Sequence, residues 1–313
     1  MAIDIPKIAL SGSIKEVTLG RGDKAVVLGG ETALPCCAFE GAIPHAPRIA
    51  MEIWDKTPED WAAALGEVFG GVWGDPVAWA KACVAAGADA VMLTLASTDP
   101  NGDDAPPEKA AETAKMVAQA IDVPLFVWGS DNVKKNADVL RKVAETVDFR
   151  ELVLGPVEEG NYKQIGAGAI GYKHKVAANS PIDVNLAKQI NILLTNLGVK
   201  DENILIDPTT GGLGYGLEYS YSVIERARLA ALQQGDAKLQ FPVMCNIGRE
   251  IWKTKEVKTP SGADPALGDQ TARGVSFESV AAAALIVAGA DLVVLRHPKS
   301  VQLVRRYIKD LLG

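Results

Sequence analysis

Three hydrogen-bonding side chains follow apolar runs in the second half of the chain: Asn179, Asp207 and Asn246. If those runs are parallel strands of one sheet, their carboxyl ends lie at the same edge and the three side chains face one site. Carboxylate and carboxamide groups together supply the donors and acceptors that the edge of a flat heterocycle, such as a pterin, requires. Such side chains also commonly bond loop backbone groups at strand ends, so both interpretations stay open.

A glycine-rich loop follows Asp207 in the stretch "IDPTTGGLGYGLEYS", residues 206 to 220. Glycines at a helix start often bind phosphate through backbone N–H groups, but a P-loop also needs Lys followed by Ser or Thr. This loop continues with Tyr215, Gly216 and Leu217, which also breaks the G-x-G-x-x-G dinucleotide pattern. The loop therefore either brings its backbone close to a ligand that is not a phosphate, or forms a tight turn.

Other catalytic patterns are missing from the sequence. It contains no H-x-H or H-E-x-x-H motif, and no carboxylate pair is evident at neighbouring strand ends. His174 opens a predicted strand and so faces the opposite end of the sheet, and His297 precedes Pro298, where it can cap the last helix. We predict no catalytic residue and no metal ligand in this chain.

Composition excludes several classes of partner. The chain has 313 residues, 48% of them hydrophobic and 23% charged, with a net charge of -7. Scattered basic residues and net negative charge do not indicate nucleic acid binding, and no apolar run is long enough for a membrane span. The four cysteines, at 36, 37, 83 and 245, form no C-x-x-C motif. We expect a cytoplasmic protein with reduced thiols and no iron–sulfur cluster or zinc site of its own.

Eight β-branched runs alternate with helical patterns along the chain, which is typical of a parallel sheet. Eight strands in a chain of this length predict a (β/α)₈ TIM barrel, with a doubly wound sheet as the alternative. Helices are predicted at 107–120, 136–146, 183–197, 217–233 and 272–288. The predicted strands are 48–54, 89–95, 124–128, 151–155, 174–179, 203–208, 241–246 and 291–297.

The segment before the first barrel strand is predicted to pack on one end of the barrel. Residues 1–46 contain two apolar runs, 24–30 and 33–41, that favour a hairpin or plug. Residues 47–313 would form the barrel, and the two parts together effectively one domain. Within the barrel, "AAGADAVML" and "VAGADLVVL" repeat one junction, in which glycine ends a helix in a left-handed conformation and aspartate opens the next strand.

Four stretches resemble one known family along nearly the whole chain. The resemblance is to the small subunit of the corrinoid iron–sulfur protein of the acetyl-CoA (Wood–Ljungdahl) pathway, whose archaeal counterpart is the delta subunit of the acetyl-CoA decarbonylase/synthase complex. That family is similar in fold to pterin-dependent methyltransferases. The stretches are "ALPCCAFEGAIPHAPRIAMEIWD", "SPIDVNLAKQINILLTNLG", "IDPTTGGLGYGLEYSYSVIERARLAAL" and "ARGVSFESVAAAALIVAGADLVVLRHP".

The resemblance implies a methyl carrier without independent catalysis. In this family a heterodimer accepts a methyl group from methyltetrahydrofolate through a separate methyltransferase, holds it on cobalt and passes it to acetyl-CoA synthase. The corrinoid, a cobalamin-type cofactor, lies between this barrel and the large subunit, and the large subunit carries the [4Fe-4S] cluster. The absence of a cysteine motif in this chain agrees with that division.

The corrinoid offers one physical reason for the glycine loop. A corrin is a wide, flat macrocycle rimmed with neutral amides, so its binder needs close backbone approach and small polar side chains. We predict that the cofactor-binding residues are Thr209, Thr210, Gly211, Gly212 and Leu213, together with Asn179, Asp207 and Asn246. The alternative is a stand-alone pterin-dependent methyltransferase, which would use the last three residues to bind its substrate.

Overall fold

A computed structural model describes residues 6–312 of the chain. Its first element is an antiparallel hairpin of two short strands, β1 (Val17–Leu19) and β2 (Val26–Leu28). Eight parallel strands follow, each next to the one that precedes it in the chain except where β3 pairs with β10. These are β3 (Arg48–Trp54), β4 (Ala90–Thr94), β5 (Leu125–Trp128), β6 (Val153–Val157), β7 (Lys175–Asn179), β8 (Ile204–Asp207), β9 (Met244–Asn246) and β10 (Leu292–Leu295).

The sheet closes on itself between β8 and β9. A parallel bridge joins Ile206 to Val243, and the Ile206 N–H donates to the Pro242 carbonyl at 2.8 Å. Closure leaves no free edge, which decides for the predicted barrel and against a doubly wound sheet. The predicted strand 48–54 is confirmed residue for residue, whereas the predicted strand 151–155 is displaced by two residues.

Helices cover the outside of the barrel and pack on the outward-facing strand residues. The predicted helix 107–120 is confirmed at both ends, and the other four agree to within three residues. The helices are α1 (Ala63–Phe69), α2 (Pro76–Ala85), α3 (Pro107–Ala120), α4 (Val133–Thr146), α5 (Tyr162–Tyr172), α6 (Val184–Leu197), α7 (Leu217–Leu232), α8 (Ile247–Ile251), α9 (Lys255–Lys258), α10 (Gln270–Ala288) and α11 (Pro298–Leu312).

The N-terminal hairpin closes one end of the barrel. Its buried side chains Val17, Leu19, Val26 and Leu28 form one apolar cluster with the inward-facing residues of the barrel strands. The Lys15 N–H donates to the carbonyl of Gln240, which precedes β9, at 3.0 Å, so the hairpin lies at the N-terminal ends of the strands. The opposite end, where the strands terminate, therefore remains open.

One detail of the hairpin prediction was wrong. The strand that pairs with 26–28 is 17–19, and residues Pro35–Glu40 form a 3₁₀ segment instead of a strand. Proline at the start of that segment fixes a helical φ, and it cannot donate to a strand ladder. The alternation of apolar and polar residue types in Val17, Thr18 and Leu19 was the sequence signal for the correct strand.

The repeated helix-to-strand junction has the predicted geometry. Gly289 ends α10 at φ 117°, and Gly87 follows α2 at φ 94°, both in the region that glycine enters at least cost. The aspartates that follow each glycine bond neighbouring strands: Asp89 accepts from the Ile49 N–H at 2.9 Å. Asp291 likewise accepts from the Val243 N–H at 2.6 Å. Each junction thus fixes a strand at the closed end of the barrel.

Among residues 6–312, one helix, α10, is long and apolar enough by length and composition to cross a membrane. It packs in the outer layer of the barrel, and Glu278 near its middle is fully buried, where it accepts a 2.7 Å hydrogen bond from the Arg296 N–H. Its contacts with neighbouring elements account for its apolar composition.

Candidate functional site at the open end of the barrel

Two adjoining cavities occupy the open end of the barrel. The first, of about 400 Å³, is lined among others by Trp54, Trp61 and Arg296, and we call it the aromatic cavity. The second, of about 320 Å³, is lined by the ends of β7, β8 and β9 and by the loop after β8, and we call it the amide cavity. Residues that line both cavities include Ser130, Asp131, Arg249 and Lys253.

The predicted polar set meets in the amide cavity. The Asn179 side-chain nitrogen donates to Oδ2 of Asp207 at 2.8 Å and to Oγ1 of Thr209 at 2.9 Å. The other carboxylate oxygen of Asp207 accepts from the Thr209 N–H at 3.0 Å. Asp207 thus bonds a loop backbone group, as the second interpretation has it, and both residues line the cavity, where ligand binding by them stays a prediction.

Asn246 closes the floor of the same cavity. Its side chain is 5% exposed, its nitrogen contacts the Met92 sulfur at 3.4 Å, and its Oδ1 atom has no hydrogen-bond partner among the described residues. Its backbone carbonyl accepts from the Thr210 hydroxyl at 2.6 Å. A buried acceptor without a partner is costly, which makes Oδ1 a candidate to receive an N–H or O–H from a ligand.

Two carboxyl groups of the amide cavity, those of Asp207 and Glu158, have raised pKa values. Burial raises the pKa of Asp207 to about 6, against the opposing effects of its hydrogen bonds to Asn179 and Thr209. Burial also raises the pKa of Glu158, with further contributions from the charges of Asp131 and Asp207. The two basic side chains of this lining, Arg249 and Lys253, are paired with Asp131 and Glu250, so a carboxylate ligand would add negative charge beside Asp207 and Glu158, and the cavity favours neutral or cationic groups.

The aromatic cavity contains an ion pair that sequence reasoning missed. Arg296 donates to Glu52 at 2.7 Å, and the same carboxylate accepts from the Thr94 hydroxyl at 2.8 Å and from the Trp54 indole at 3.1 Å. Burial alone would raise the pKa of Glu52, but the charges and hydrogen bonds of Arg296, Arg249 and Thr94 hold it below its ordinary value. The carboxylate is therefore ionised and satisfied.

Arginine and tryptophan stack at the same place. The guanidinium carbon of Arg296 lies 3.9 Å from the centre of the Trp61 ring and 5.8 Å from that of Trp54. A guanidinium at this distance from an aromatic face is attracted by the ring quadrupole. The hydrogen bond to Glu52 and the stacking on Trp61 thus fix the position of the Arg296 guanidinium at the floor of the aromatic cavity.

Arg249 separates the two cavities. It follows β9 in the short helix α8 and forms an ion pair with Asp131, which follows β5 on the other side of the barrel mouth. Its charge lowers the pKa of both buried carboxylates, Glu52 in one cavity and Asp207 in the other. Arg249 thus acts electrostatically on one carboxyl group of each cavity.

Comparison with known proteins identifies the family. A family model described as CO dehydrogenase/acetyl-CoA synthase delta subunit matches residues 16–306. The chain belongs to this delta-subunit family. The acetyl-CoA decarbonylase/synthase complex subunit delta of Archaeoglobus fulgidus is 34% identical over 96% of this chain and 69% of its own length. Subunit delta of Methanopyrus kandleri is 36% identical over 91% of this chain and 70% of its own length.

Solved structures show the fold of this delta-subunit family member. A dihydropteroate synthase from Xanthomonas albilineans covers 90% of the chain with a TM-score of 0.59 and 16% identity. The dihydropteroate synthase of Coxiella burnetii, solved in complex with pteroic acid, covers 95% of the chain with a TM-score of 0.58 and 13% identity. At these identities the likeness establishes the TIM barrel alone.

The glycine loop of this delta-subunit chain divides into two parts. Thr209, Thr210 and Gly211 line the amide cavity. Gly212 does not, because a Cβ added to it would lie 2.9 Å from the Tyr219 Cβ and 3.4 Å from the Ile182 side chain. Leu213 is 3% exposed and belongs to the apolar layer between strands and helices. The structure therefore brings together six of the eight predicted binding residues around one cavity.

Two histidines of this chain have structural roles. His174 lies at the closed end, where its Nε2 lies 3.0 Å from the Ala144 carbonyl and burial lowers its pKa. His297 accepts from the Lys299 N–H at 3.1 Å and so caps α11, as predicted. Burial, aided by the charge of Lys299, lowers the pKa of His297 to about 4. Both are neutral at physiological pH.

Proposed function

We propose that this chain is the barrel subunit of a two-chain corrinoid iron–sulfur methyl carrier that acts in the cytoplasm in an acetyl-CoA decarbonylase/synthase system. Family membership supports this assignment, since the curated relatives are named as delta subunits of that complex. The barrel forms one side of the corrinoid pocket and has no independent catalysis. The large subunit supplies the other side and carries the [4Fe-4S] cluster.

The lining of the barrel mouth is the observation that carries this proposal. A corrin rim bears neutral amides, and the amide cavity offers an unpartnered buried acceptor at Asn246 Oδ1 and small polar side chains at Thr209 and Thr210. Gly211 has no side chain, and a Cβ added there would find space, with the Thr209 side chain at 3.7 Å as its nearest neighbour. Glycine at this position therefore leaves space for a ligand next to the loop backbone. The residues present therefore fit the rim of a corrin.

The predicted corrinoid-binding set then divides by role. Asn179, Asp207, Thr209, Thr210, Gly211 and Asn246 would contact the macrocycle rim, and Gly212 and Leu213 would support the loop from behind. When bound, the corrinoid supplies a cobalt centre that takes up and releases the methyl group. None of the residues lining the two cavities is a histidine or cysteine, so these linings offer no imidazole or thiolate ligand that would hold cobalt strongly.

The proposal assigns three partners. The large subunit of the corrinoid iron–sulfur protein completes the corrinoid pocket, a separate methyltetrahydrofolate:corrinoid methyltransferase loads the methyl group, and acetyl-CoA synthase receives it. Among residues 6–312, no group of three or more His, Cys, Asp or Glu side chains could hold a metal ion.

Substitution of Asn246 tests the corrinoid pocket directly. Asn246→Leu keeps the branching and the number of side-chain heavy atoms but removes the acceptor, so the two-subunit complex should retain corrinoid about tenfold more weakly, as measured by cobalt content after dialysis. Asn191→Leu is the matched control, since Asn191 is also buried, also has an unpartnered Oδ1, and lies on α6 away from both cavities. Equal cobalt loss in both variants would contradict the proposal.

A second function is favoured by the same acceptors. Asp207 and the Oδ1 atom of Asn246 would suit the amino and ring N–H groups of a pterin, which supports a stand-alone methyltetrahydrofolate methyltransferase. Titration of the isolated chain with methyltetrahydrofolate separates the two functions. Tight stoichiometric binding together with methyl transfer to free cobalamin would establish the second function in place of the first.

A further inference from the structure

Two β-branched residues at the barrel mouth have a backbone conformation that such residues rarely adopt. Ile182, in the loop after β7, has φ 49°, and Thr209, in the loop after β8, has φ 56°. Branching at Cβ makes this left-handed region a strained one. Strained conformations of this kind persist where the surrounding structure fixes them, and they cluster at ligand-binding sites.

Asp207 fixes the two strained loops to each other. Its Oδ1 accepts from the Thr209 N–H at 3.0 Å, and its backbone carbonyl accepts from the Ser180 N–H at 2.9 Å. The Ile182 N–H donates to the carbonyl of Pro208 at 2.9 Å. The conformation of Thr209 is therefore determined by several hydrogen bonds at once, and its side chain has one defined position at the edge of the amide cavity.

That position leaves one hydrogen-bond donor for a ligand. Oγ1 of Thr209 accepts from the Asn179 side chain at 2.9 Å, which directs its hydroxyl hydrogen away from Asn179. No acceptor for this hydrogen is found among residues 6–312, and Thr209 lines the amide cavity. The cavity thus offers a donor at Thr209 and, at Asn246 Oδ1, an acceptor that is buried and unpartnered.

We propose that Thr209 is a specificity-determining residue that, with Asn246, recognises a neutral carboxamide group of the ligand and rejects the corresponding carboxylate. The ligand carbonyl accepts from the Thr209 hydroxyl, and the ligand N–H donates to Asn246. A carboxylate would lack the N–H and would meet the carboxyl groups of Asp207 and Glu158, because the two basic side chains of the same lining are already paired, Arg249 with Asp131 and Lys253 with Glu250. This inference rests on the proposed function insofar as a side-chain amide of the corrinoid supplies the group, and the lactam edge of a pterin is the other source.

Two substitutions of Thr209 test the inference. Thr209→Val keeps the branched shape and removes the hydroxyl, so the two-subunit complex should bind hydroxocobalamin about tenfold more weakly. Thr209→Ser keeps the hydroxyl and should bind within about threefold of the unsubstituted complex, by the same reasoning. Thermal midpoints of both variants should stay within about 2 °C of the unsubstituted chain, which shows that binding and not folding has changed.

Ligand chemistry provides a second readout. A cobalamin in which peripheral amides are hydrolysed to carboxylic acids should compete with hydroxocobalamin at least about tenfold less well. Equal binding of both corrinoids, or hydroxocobalamin binding by Thr209→Val that equals that of the unsubstituted complex, would overturn the inference and leave the carrier function in place.

A parallel titration of the isolated chain with tetrahydrofolate distinguishes the two sources of the amide. If the complex holds no corrinoid but the chain binds tetrahydrofolate and Thr209→Val weakens that binding, the carrier function fails while amide recognition stands. If neither ligand binds the unsubstituted protein, both the carrier function and the inference fail.

Discussion

Arg296 donates a 2.7 Å hydrogen bond to Glu52 across the seam where the first and last strands of the barrel pair. The two residues are 4% and 1% exposed and lie 244 positions apart in the chain. The bond therefore links the start of the barrel to its end at the floor of the aromatic cavity. A buried ion pair of this kind contributes little net stability, because the cost of desolvating both charges offsets their attraction. The loss of one partner is nevertheless costly, because it leaves the other charge buried without compensation.

Removal of the positive partner should destabilise the barrel. Arg296→Met leaves the Glu52 carboxylate buried without its cation, so the free energy of unfolding should fall by about 3 to 5 kcal/mol. Chemical denaturation of the isolated chain measures this difference. The double variant with Glu52→Met should recover much of the loss, because no charge then remains to be buried. A double variant less stable than Arg296→Met would contradict this reasoning.

Glu31 should make stability depend on pH. It is 8% exposed at the closed end of the barrel, and burial, with repulsion from Asp291, raises its pKa to about 9 from 4.5. Between these values the folded chain keeps a proton that the unfolded chain releases, so the free energy of unfolding falls as pH rises. Glutamine does not titrate, so Glu31→Gln removes this decrease in the free energy of unfolding and should raise the thermal midpoint at pH 8 by at least about 3 °C.

The control for Glu31 is the same pair of proteins at pH 4.5. There the carboxyl group is mostly protonated in the folded chain and half protonated in the unfolded one, so little stability has yet been lost. The two midpoints should then nearly coincide. A gap between Glu31→Gln and the unsubstituted chain that stays constant from pH 4.5 to pH 8 would rule out titration of Glu31 as its cause.

Adjacent glycines should respond differently to valine. Gly211→Val adds a side chain at the edge of the amide cavity where a Cβ finds space, so corrinoid retention should fall with little change in thermal midpoint. Gly212→Val drives a side chain into Tyr219 and should lower the thermal midpoint, because overpacking costs about 1 to 3 kcal/mol. Cobalt content and midpoint measured on both complexes compare the two effects. If the Gly211→Val complex retained as much cobalt as the unsubstituted complex, the loop would serve only as a turn.

The isolated chain should contain no iron–sulfur cluster. Cys83 and Cys245 are fully buried on α2 and β9, and the sulfur atoms of the adjacent residues Cys36 and Cys37 lie 3.9 Å apart. A cubane cluster needs about four thiolates that converge on it. Anaerobically prepared protein should be colourless and free of iron. A brown preparation with about four irons per chain would move the cluster from the partner to this subunit.

The barrel was predictable because its signals are local. Strand 48–54 is a short apolar run, and Gly87 and Gly289 mark helix ends by a conformation that glycine favours. The meeting of Asn179 and Asp207 also followed from topology, since adjacent parallel strands bring their ends together.

Glu52 and the orientation of the glycine loop were not predictable in this way. Glu52 lies within the apolar run "RIAMEIW", and its partner Arg296 is at the other end of the chain, so only closure of the barrel brings them together. A single charged residue inside such a run was the available signal. Gly212 differs from Gly211 only in the side chains that surround it, which depend on packing between α7 and the loop after β7.

Cobalt content of the chain alone and in complex with the corrinoid-bearing large subunit tests the central claim most directly. Both proteins would be reconstituted with hydroxocobalamin under anaerobic conditions and passed through gel filtration. The carrier function requires about one cobalt per two-chain complex, an obligate-type interface of roughly 2,000 Å² or more, and no cobalt on the isolated chain. A chain that remains monomeric in the presence of the large subunit, or a large subunit whose corrinoid affinity is unchanged by this barrel, would contradict the account.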